Sequence, residues 1–232
     1  MNVEHTQKNI FAILGTARTG TSVIARALKA LGVDLGSRLT PANGWNPKGF
    51  WEDNDIVYQV NEKVLKNLGY AWDSVRVVDK NLQLSSSLDD IKVFAIELLR
   101  KRFVDTDYWG FKDPRTAKIL IFWQSVFEAV QINEHYIIAL RNPLSSALSY
   151  QRLTGKDVEH GLLLWLIHLI TAVEQTAGKR RIIVSYDLLM QNPRIQLERI
   201  QQQFALSNRA DNEELDKYIN TCLLYTSDAA DE

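Results

Sequence analysis

The sequence predicts an α/β fold of three layers, in which helices cover both faces of a central, mainly parallel β-sheet. Two observations predict it. Short apolar segments with the character of strands alternate with longer segments of helical period along the 232 residues. The strand segments are also apolar at nearly every position, which is typical of parallel strands that are buried on both faces. We expect residues 1–232 to form one domain with a substantial core.

The first strand and helix are the clearest elements. The apolar segment Ile10–Leu14 ends at Gly15, and Thr21 and Ser22 open a segment whose apolar residues have helical spacing. A glycine-bounded turn joins the two elements. A strand, a glycine-bounded turn and a helix in this order direct backbone N–H groups and a helix N-terminus towards an anion.

Two further helices precede the second strand. Asp53 or Asn54 can cap a helix that Gly69 ends, and residues 70–84 show no clear period. Ser85–Ser87, followed by two aspartates, favours a helix start, and this helix extends to about Phe103.

The second half of the chain repeats the alternation of strands and helices. Pro143 suits the first position of a helix, because a proline there loses no helical hydrogen bond. In chain order we predict a strand at 109–111, a helix at 116–130, a strand at 135–140, a helix from Pro143 through Tyr150, a helix at 157–176, a strand at 181–185 and further helix through Phe204.

Charge and composition exclude several classes of protein. The formal net charge of −1 suggests neither a nucleic-acid partner nor a membrane surface, and a single cysteine excludes a disulfide framework. The longest apolar run, residues 162–170, is too short to span a bilayer. No signal peptide is visible, so we expect a cytoplasmic protein. The sequence does not indicate its oligomeric state. Residues 221–232 fit no element and suggest a truncated or appended end.

The loop after the first strand is the main candidate site. Gly15, Gly20 and Ser22 have the spacing of a phosphate-binding loop, but Thr21 stands where such a loop carries a lysine. Arg18 is the only cation in the loop. The glycines alone would fit an ordinary strand-to-helix turn, but the glycines, Arg18 and the hydroxyls together favour an anion site without a nucleoside triphosphate.

Three cations are expected at one edge of the sheet. Arg18, Lys112 and Arg141 each follow a predicted strand. Ligands of such folds bind beyond the carboxyl ends of the strands. These residues therefore predict an electropositive cleft in a nearly neutral protein.

Several separated motifs of the sequence resemble those of the sulfotransferases that use 3′-phosphoadenosine 5′-phosphosulfate (PAPS). G-T-A-R-T-G-T-S, residues 15–22, is similar to the family's 5′-phosphosulfate loop, and Arg141 followed by Ser149 is similar to its 3′-phosphate motif. K-D-P-R, residues 112–115, resembles a segment of the tyrosylprotein branch, and the segment around Tyr186 resembles one near the adenine. The resemblance implies a P-loop-like fold and these PAPS-binding residues: Gly15, Arg18, Thr19, Gly20, Thr21, Ser22, Arg141, Ser149 and Tyr186.

The resemblance also implies the chemistry, which is sulfuryl transfer from PAPS to an acceptor hydroxyl without a metal. Arg18 and the loop amides would hold the 5′-phosphate. Lys112 would lie near the bridging or equatorial oxygens, although a salt bridge with Asp113 or Glu52 explains it equally well. By analogy with phosphoryl transfer, positioning and cations would do most of the work.

Glu52 is the expected general base, in the position where branches of the family carry an acidic residue. Neighbouring aromatic residues can raise its pKa by desolvation. Asp53 is the rival and also the natural helix cap. The four histidines are expected to serve packing or the surface of helices.

We expect the acceptor to be a small molecule or a saccharide that bears a hydroxyl. A saccharide, a small lipid-like alcohol and a peptide tyrosine all fit these residues, and the sequence does not choose among them. The aromatic residues of the nearby loops can either stack on the acceptor or pack in the core. They are Trp45, Phe50, Trp51 and Trp72. Lys48 can recognise an acidic acceptor. Two other functions remain open: a divergent kinase or NTPase with Asp187 beside Mg²⁺, and a nucleotide-binding module without catalysis.

Overall fold

The protein is described from a computed structural model that covers residues 7–42, 49–206 and 213–220. Its centre is a sheet of four strands, which are β1 Asn9–Leu14, β2 Tyr108–Lys112, β3 Asn133–Leu140 and β4 Arg181–Ser185. Their order in the sheet is β2-β1-β3-β4, and every pairing is parallel. All four predicted strands are confirmed, and the described sheet is parallel throughout.

Helices connect the strands and cover the sheet. The α-helices are α1 Thr21–Ala30, α2 Glu62–Asn67, α3 Asp89–Arg102, α4 Leu120–Val130, α5 Pro143–Thr154, α6 Val158–Gln175, α7 Tyr186–Gln191 and α8 Pro193–Phe204. A π-helical segment, Ile56–Asn61, leads into α2. Short 3₁₀ helices lie at Leu82–Leu84, Ser86–Leu88 and Pro114–Ile119, and residues 213–220 are helical.

The two faces of the sheet support separate hydrophobic clusters, which explains why the strands are apolar at successive positions. Ile10, Ala12 and Leu14 of β1 pack in one cluster with residues of α3 and α4. Phe11 and Ile13 pack in the other cluster with residues of α1 and α8. Because successive side chains of a strand point to opposite faces, a strand that is covered on both sides needs apolar residues throughout. The three-layer prediction is confirmed.

Two predicted helices are not α-helical throughout. The helix expected from Thr116 begins as a 3₁₀ helix, and α4 itself starts at Leu120. Asp113 caps this 3₁₀ helix by accepting a hydrogen bond from Arg115 N at 3.0 Å. The helix expected from Asp53 or Asn54 to Gly69 starts where predicted, because Asp53 Oδ1 accepts hydrogen bonds from Asp55 N at 2.9 Å and from Ile56 N at 3.3 Å. It differs from an α-helix over Ile56–Asn61, which is π-helical.

The described histidines serve packing, as expected. Burial lowers the pKa of His135 to about 4, with a smaller contribution from the charge of Arg180. Burial likewise lowers the pKa of His168 to about 4, and its Nδ1 lies 2.7 Å from the carbonyl oxygen of Leu164. His160 Nε2 lies 3.0 Å from the carbonyl oxygen of Asp73.

None of the described helices combines the length and the apolar character that crossing a membrane requires.

Candidate active site

The carboxyl ends of the strands bring the predicted cations to one edge of the sheet. Arg18 lies in the loop between β1 and α1, and Arg141 directly follows β3. Lys112 is the last residue of β2 and not, as predicted, the residue after the strand. The three side chains contribute to two neighbouring clefts that share the loop after β1.

The loop between β1 and α1 has a backbone conformation that its glycines permit. Gly15 has φ 150° and Gly20 has φ 85°, both in the region that favours glycine. Arg18 has φ 71°, which is uncommon for a residue with a side chain. Thr19 Oγ1 donates a hydrogen bond to the carbonyl oxygen of Thr16 at 2.7 Å, which closes the turn. The loop is thus a compact turn before the N-terminus of α1.

Replacing Gly20 by alanine is expected to disrupt this loop. An added Cβ would lie 2.3 Å from Cδ2 of Tyr186, closer than any real contact. Tyr186 or the loop must therefore move, in addition to the strain of the left-handed backbone, which costs roughly 1–2 kcal/mol. We expect Gly20→Ala to lower the free energy of unfolding, measured by urea denaturation, by roughly 3 kcal/mol in total, the extra cost being that of overpacking.

Gly178→Ala is the matched control for this prediction. Gly178 has φ 73°, and an added Cβ there meets nothing within 4 Å. This variant should show only the backbone strain. Equal losses of stability in the two variants would contradict close packing of Tyr186 on the loop.

Arg18 is surrounded by other cations and by one hydroxyl. Its Nε donates a hydrogen bond to Ser149 Oγ at 2.9 Å. Burial lowers the pKa of Arg18, and the charges of Arg141 and then Arg152 lower it further. Ser149 therefore contacts Arg18, whereas the sequence motif pairs it with Arg141. A concentration of positive charge around one guanidinium favours an anion at this point.

Arg141 supports the loop from the neighbouring strand. Its Nη1 donates to the carbonyl oxygen of Arg18 at 3.1 Å, and its guanidinium lies 4.6 Å from the ring centroid of Tyr186. These groups border a cleft of about 200 Å³, which we call the nucleotide cleft after the ligand that the sequence predicts. Its lining residues are Arg18, Gly20, Thr21, Ser22, Val23, Arg141 and Tyr186.

Glu52 and Lys112 form a buried ion pair. Lys112 Nζ lies 2.6 Å from Glu52 Oε1, and Lys112 is only 3% exposed. Burial raises the pKa of Glu52, and the opposing charge of Lys112 offsets part of this rise. The salt bridge expected for Lys112 thus exists, and it joins the two residues predicted to act in catalysis.

The rival carboxylates have structural partners. Asp53 accepts hydrogen bonds from Arg102 Nε at 2.9 Å and from Arg102 Nη2 at 3.2 Å. Burial raises its pKa, against the charge of Arg102. Asp187 Oδ2 accepts from the backbone N of Asn142 at 3.2 Å. Within residues 7–42, 49–206 and 213–220, no group of three or more His, Cys, Asp or Glu residues is arranged to hold a metal ion.

A second cleft of about 190 Å³ opens beside the ion pair, and we call it the acceptor cleft after the ligand that the sequence predicts. It combines charged groups with apolar side chains. Its lining residues are Ala17, Arg18, Thr21, Ser22, Phe50, Glu52, Trp72, Lys112, Pro114, Arg115 and Leu153. Phe50 and Trp72 therefore lie in the site.

Trp51, another candidate for acceptor binding, lies outside the acceptor cleft. Its ring packs under the ammonium of Lys29, whose Nζ lies 5.3 Å from the ring centroid. Trp45 and Lys48 fall outside the described residues, as do residues 221–232.

Sequence reasoning missed two cations of the site. Arg115 lines the acceptor cleft and pairs with Asp113 at 2.9 Å. Arg152 influences Arg18 through its charge. The spacing of Arg152, three residues after Ser149 on α5, was a usable signal, because residues three apart share a helix face.

The comparisons with known proteins bear on the fold. No family model matches the chain, and no curated protein matches its sequence. Among solved structures it is similar to the sulfotransferase domain of the olefin synthase from Synechococcus PCC 7002, with a TM-score of 0.56 and 19% identity over 93% of this chain and 78% of that one. It is also similar to the sulfotransferase domain from the curacin biosynthetic pathway, with a TM-score of 0.52 and 17% identity over 90% of this chain and 77% of that one. The chain therefore has the fold of sulfotransferase domains from bacterial biosynthetic pathways.

Proposed function

We propose that the protein is a sulfotransferase that moves a sulfuryl group from PAPS to an acceptor hydroxyl. One observation carries the proposal. The nucleotide cleft and the acceptor cleft share Arg18, Thr21 and Ser22, so a single loop borders both. A group-transfer enzyme needs this arrangement, because donor and acceptor must meet at one anion-binding point. The fold shared with two sulfotransferase domains supports the same reaction class.

The donor set around the loop fits a nucleotide with separate anionic groups. Thr16 Oγ1 and Arg141 Nε are buried and have no hydrogen-bond partner among the described residues. Buried polar atoms of this kind favour a ligand. Arg18 and the amides before α1 suit the 5′-phosphate, and the planar fork of Arg141 suits the 3′-phosphate. Tyr186 beside Arg141 offers a ring face for the adenine.

The chain's own residues then divide the work of transfer. When bound, PAPS supplies the sulfuryl group, and its S–O bond to the 5′-phosphate breaks as the acceptor oxygen bonds to sulfur. Glu52 takes the proton of the acceptor hydroxyl onto its carboxylate. Lys112, paired with Glu52 before transfer, and Arg18 supply positive charge where negative charge builds up on the oxygens. No metal is part of this scheme.

A nucleotide panel tests the donor. We expect 3′,5′-ADP, the nucleotide product, to raise the melting temperature of the full chain more than ADP does at equal concentration, because ADP lacks the 3′-phosphate. Mg²⁺ should not alter the order. Stabilisation by ATP that requires Mg²⁺ would instead identify a kinase or NTPase.

Turnover decides between an enzyme and a binding module. The sulfotransferase is expected to release 3′,5′-ADP from PAPS only when an acceptor alcohol is present. Tight binding of 3′,5′-ADP with no release in the presence of a broad set of alcohols would favour a nucleotide-binding module without catalysis.

A further inference from the structure

Trp72 is partly exposed, and contacts from several elements hold the turn that carries it. Its side chain is 39% exposed and lines the acceptor cleft together with Glu52 and Lys112. It lies in the segment between α2 and α3 in which the sequence shows no period. Its position beside the ion pair of Glu52 and Lys112 places an aromatic ring where a ligand of the cleft would lie.

The turn that carries Trp72 is fixed from several elements at once. Lys118 Nζ, from the 3₁₀ helix before α4, donates to the carbonyl oxygens of Ala71 at 3.3 Å and Ser74 at 2.7 Å, on either side of Trp72. Lys118 is 2% exposed, so this anchor is buried. A buried ammonium that holds two carbonyl oxygens leaves the turn little freedom.

Asp73, the next residue, provides the second anchor. Its carboxylate pairs with Lys156 and accepts a hydrogen bond from Tyr150 OH at 3.4 Å. Its carbonyl oxygen lies 3.0 Å from His160 Nε2. These contacts tie the turn to α5 and α6. Trp72 is therefore presented to the cleft in advance, which lowers the entropy cost of binding a ligand against it.

The rest of the cleft indicates what that ligand is. Of the charged lining groups, Arg18, Glu52 and Lys112 are those that the transfer reaction uses, whereas Arg115 is held by Asp113 and Glu62. The two lining hydroxyl residues, Thr21 and Ser22, belong to the loop that also borders the nucleotide cleft. The other large lining side chains are apolar, namely Phe50, Trp72, Pro114 and Leu153. A saccharide would face these side chains with hydroxyls that they cannot satisfy.

The volume of the cleft and the acidity of the acceptor hydroxyl limit the class of acceptor further. The cleft measures about 190 Å³, and an apolar cavity of about 150 Å³ accepts benzene. A small aromatic ring system therefore fits. A phenolic hydroxyl has a pKa of about 10, so a carboxylate base removes its proton more readily than that of an aliphatic alcohol.

We propose that the acceptor is a phenolic hydroxyl and that Trp72 binds its ring. This inference rests on the proposed function, because it assigns the acceptor of that reaction. Trp72 determines specificity by stacking on the ring, whereas Glu52 meets the hydroxyl. The phenol can belong to a small molecule or to a tyrosine side chain, and both present the same ring and oxygen.

Equilibrium binding tests the inference without depending on turnover. With the full chain saturated by 3′,5′-ADP, calorimetry compares 2-naphthol, N-acetyltyrosine amide and methyl glucoside. We expect both phenols to bind and the glucoside to bind at least tenfold more weakly. Trp72→Ala should weaken binding of 2-naphthol about tenfold, and Trp72→Phe should restore most of it. The stronger of the two phenols identifies the source of the hydroxyl.

Phe94→Ala is the matched control, because Phe94 is an aromatic residue that is 40% exposed and does not line the acceptor cleft. It should leave binding of 2-naphthol unchanged. Preferential binding of the glucoside, or equal affinity of Trp72→Ala and the unaltered chain for 2-naphthol, would overturn the inference. If 3′,5′-ADP still binds more tightly than ADP, either result would leave the proposed sulfuryl transfer standing. If that nucleotide preference is absent, the result contradicts PAPS as the donor instead.

Discussion

Replacing Arg141 by alanine is expected to weaken binding of 3′,5′-ADP by roughly 10- to 100-fold, since a hydrogen bond to a charged group contributes about 1.5–3 kcal/mol. The variant also loses the stacking of the guanidinium on Tyr186 and the hydrogen bond to the carbonyl oxygen of Arg18. Titration calorimetry with 3′,5′-ADP and with ADP measures the effect. The loss should be much larger for 3′,5′-ADP, because only that nucleotide carries the phosphate assigned to Arg141.

Arg141→Lys separates phosphate recognition from support of the loop. Lysine keeps the positive charge but lacks the planar fork, so an intermediate affinity for 3′,5′-ADP is expected. Arg194→Ala removes an arginine that pairs with Asp216 at the surface, and it should change neither affinity. If Arg141→Ala weakened ADP and 3′,5′-ADP equally, the assignment of the 3′-phosphate to Arg141 would be wrong, and the residue would act through the loop alone.

The sheet and the phosphate-like loop could be predicted from the sequence because both are local. A strand buried on two faces needs a continuous apolar run, and Ile10–Leu14 shows one without reference to any other part of the chain. The loop is bounded by Gly15 and Gly20, whose positive φ angles only glycine adopts freely. Patterns of this kind depend only on residues within about ten positions of one another, so they can be recognised in a single sequence.

The partners within the site could not be predicted, because they depend on how distant segments pack. Ser149 lies 131 positions from Arg18, and it contacts Arg18 where the motif alone assigns it to Arg141. Lys112 had two open partners, Asp113 and Glu52, and packing selects Glu52, which is 60 positions away. Trp72 could be named as a candidate, but its anchors come from Lys118 and Lys156, which no local pattern connects to it.

Glu52→Gln is expected to lower kcat by about 10²- to 10⁴-fold, the contribution that a positioned general base typically makes. The affinity for 3′,5′-ADP should stay nearly unchanged, because Glu52 lines only the acceptor cleft. Initial rates of 3′,5′-ADP release with a saturating phenol measure turnover. Glu134→Gln makes the same chemical change in a carboxylate that also pairs with a cation, Lys179, away from both clefts, and it should leave kcat unchanged.

The pH profile distinguishes a base from a merely structural ion pair. Burial raises the pKa of Glu52. As the pH is lowered, the active carboxylate form is therefore lost, and the rate falls, already above the pH range in which an ordinary glutamate is protonated. This fall of the rate at acidic pH should disappear in Glu52→Gln.

The single variant also leaves the buried charge of Lys112 unpaired, at a cost of about 3–5 kcal/mol in stability. In the double variant Glu52→Gln with Lys112→Met the buried charge is gone, so stability should recover while turnover stays low. Recovery of turnover together with stability would show that Glu52 only holds the fold, because a general base cannot be replaced by restoring the packing around it.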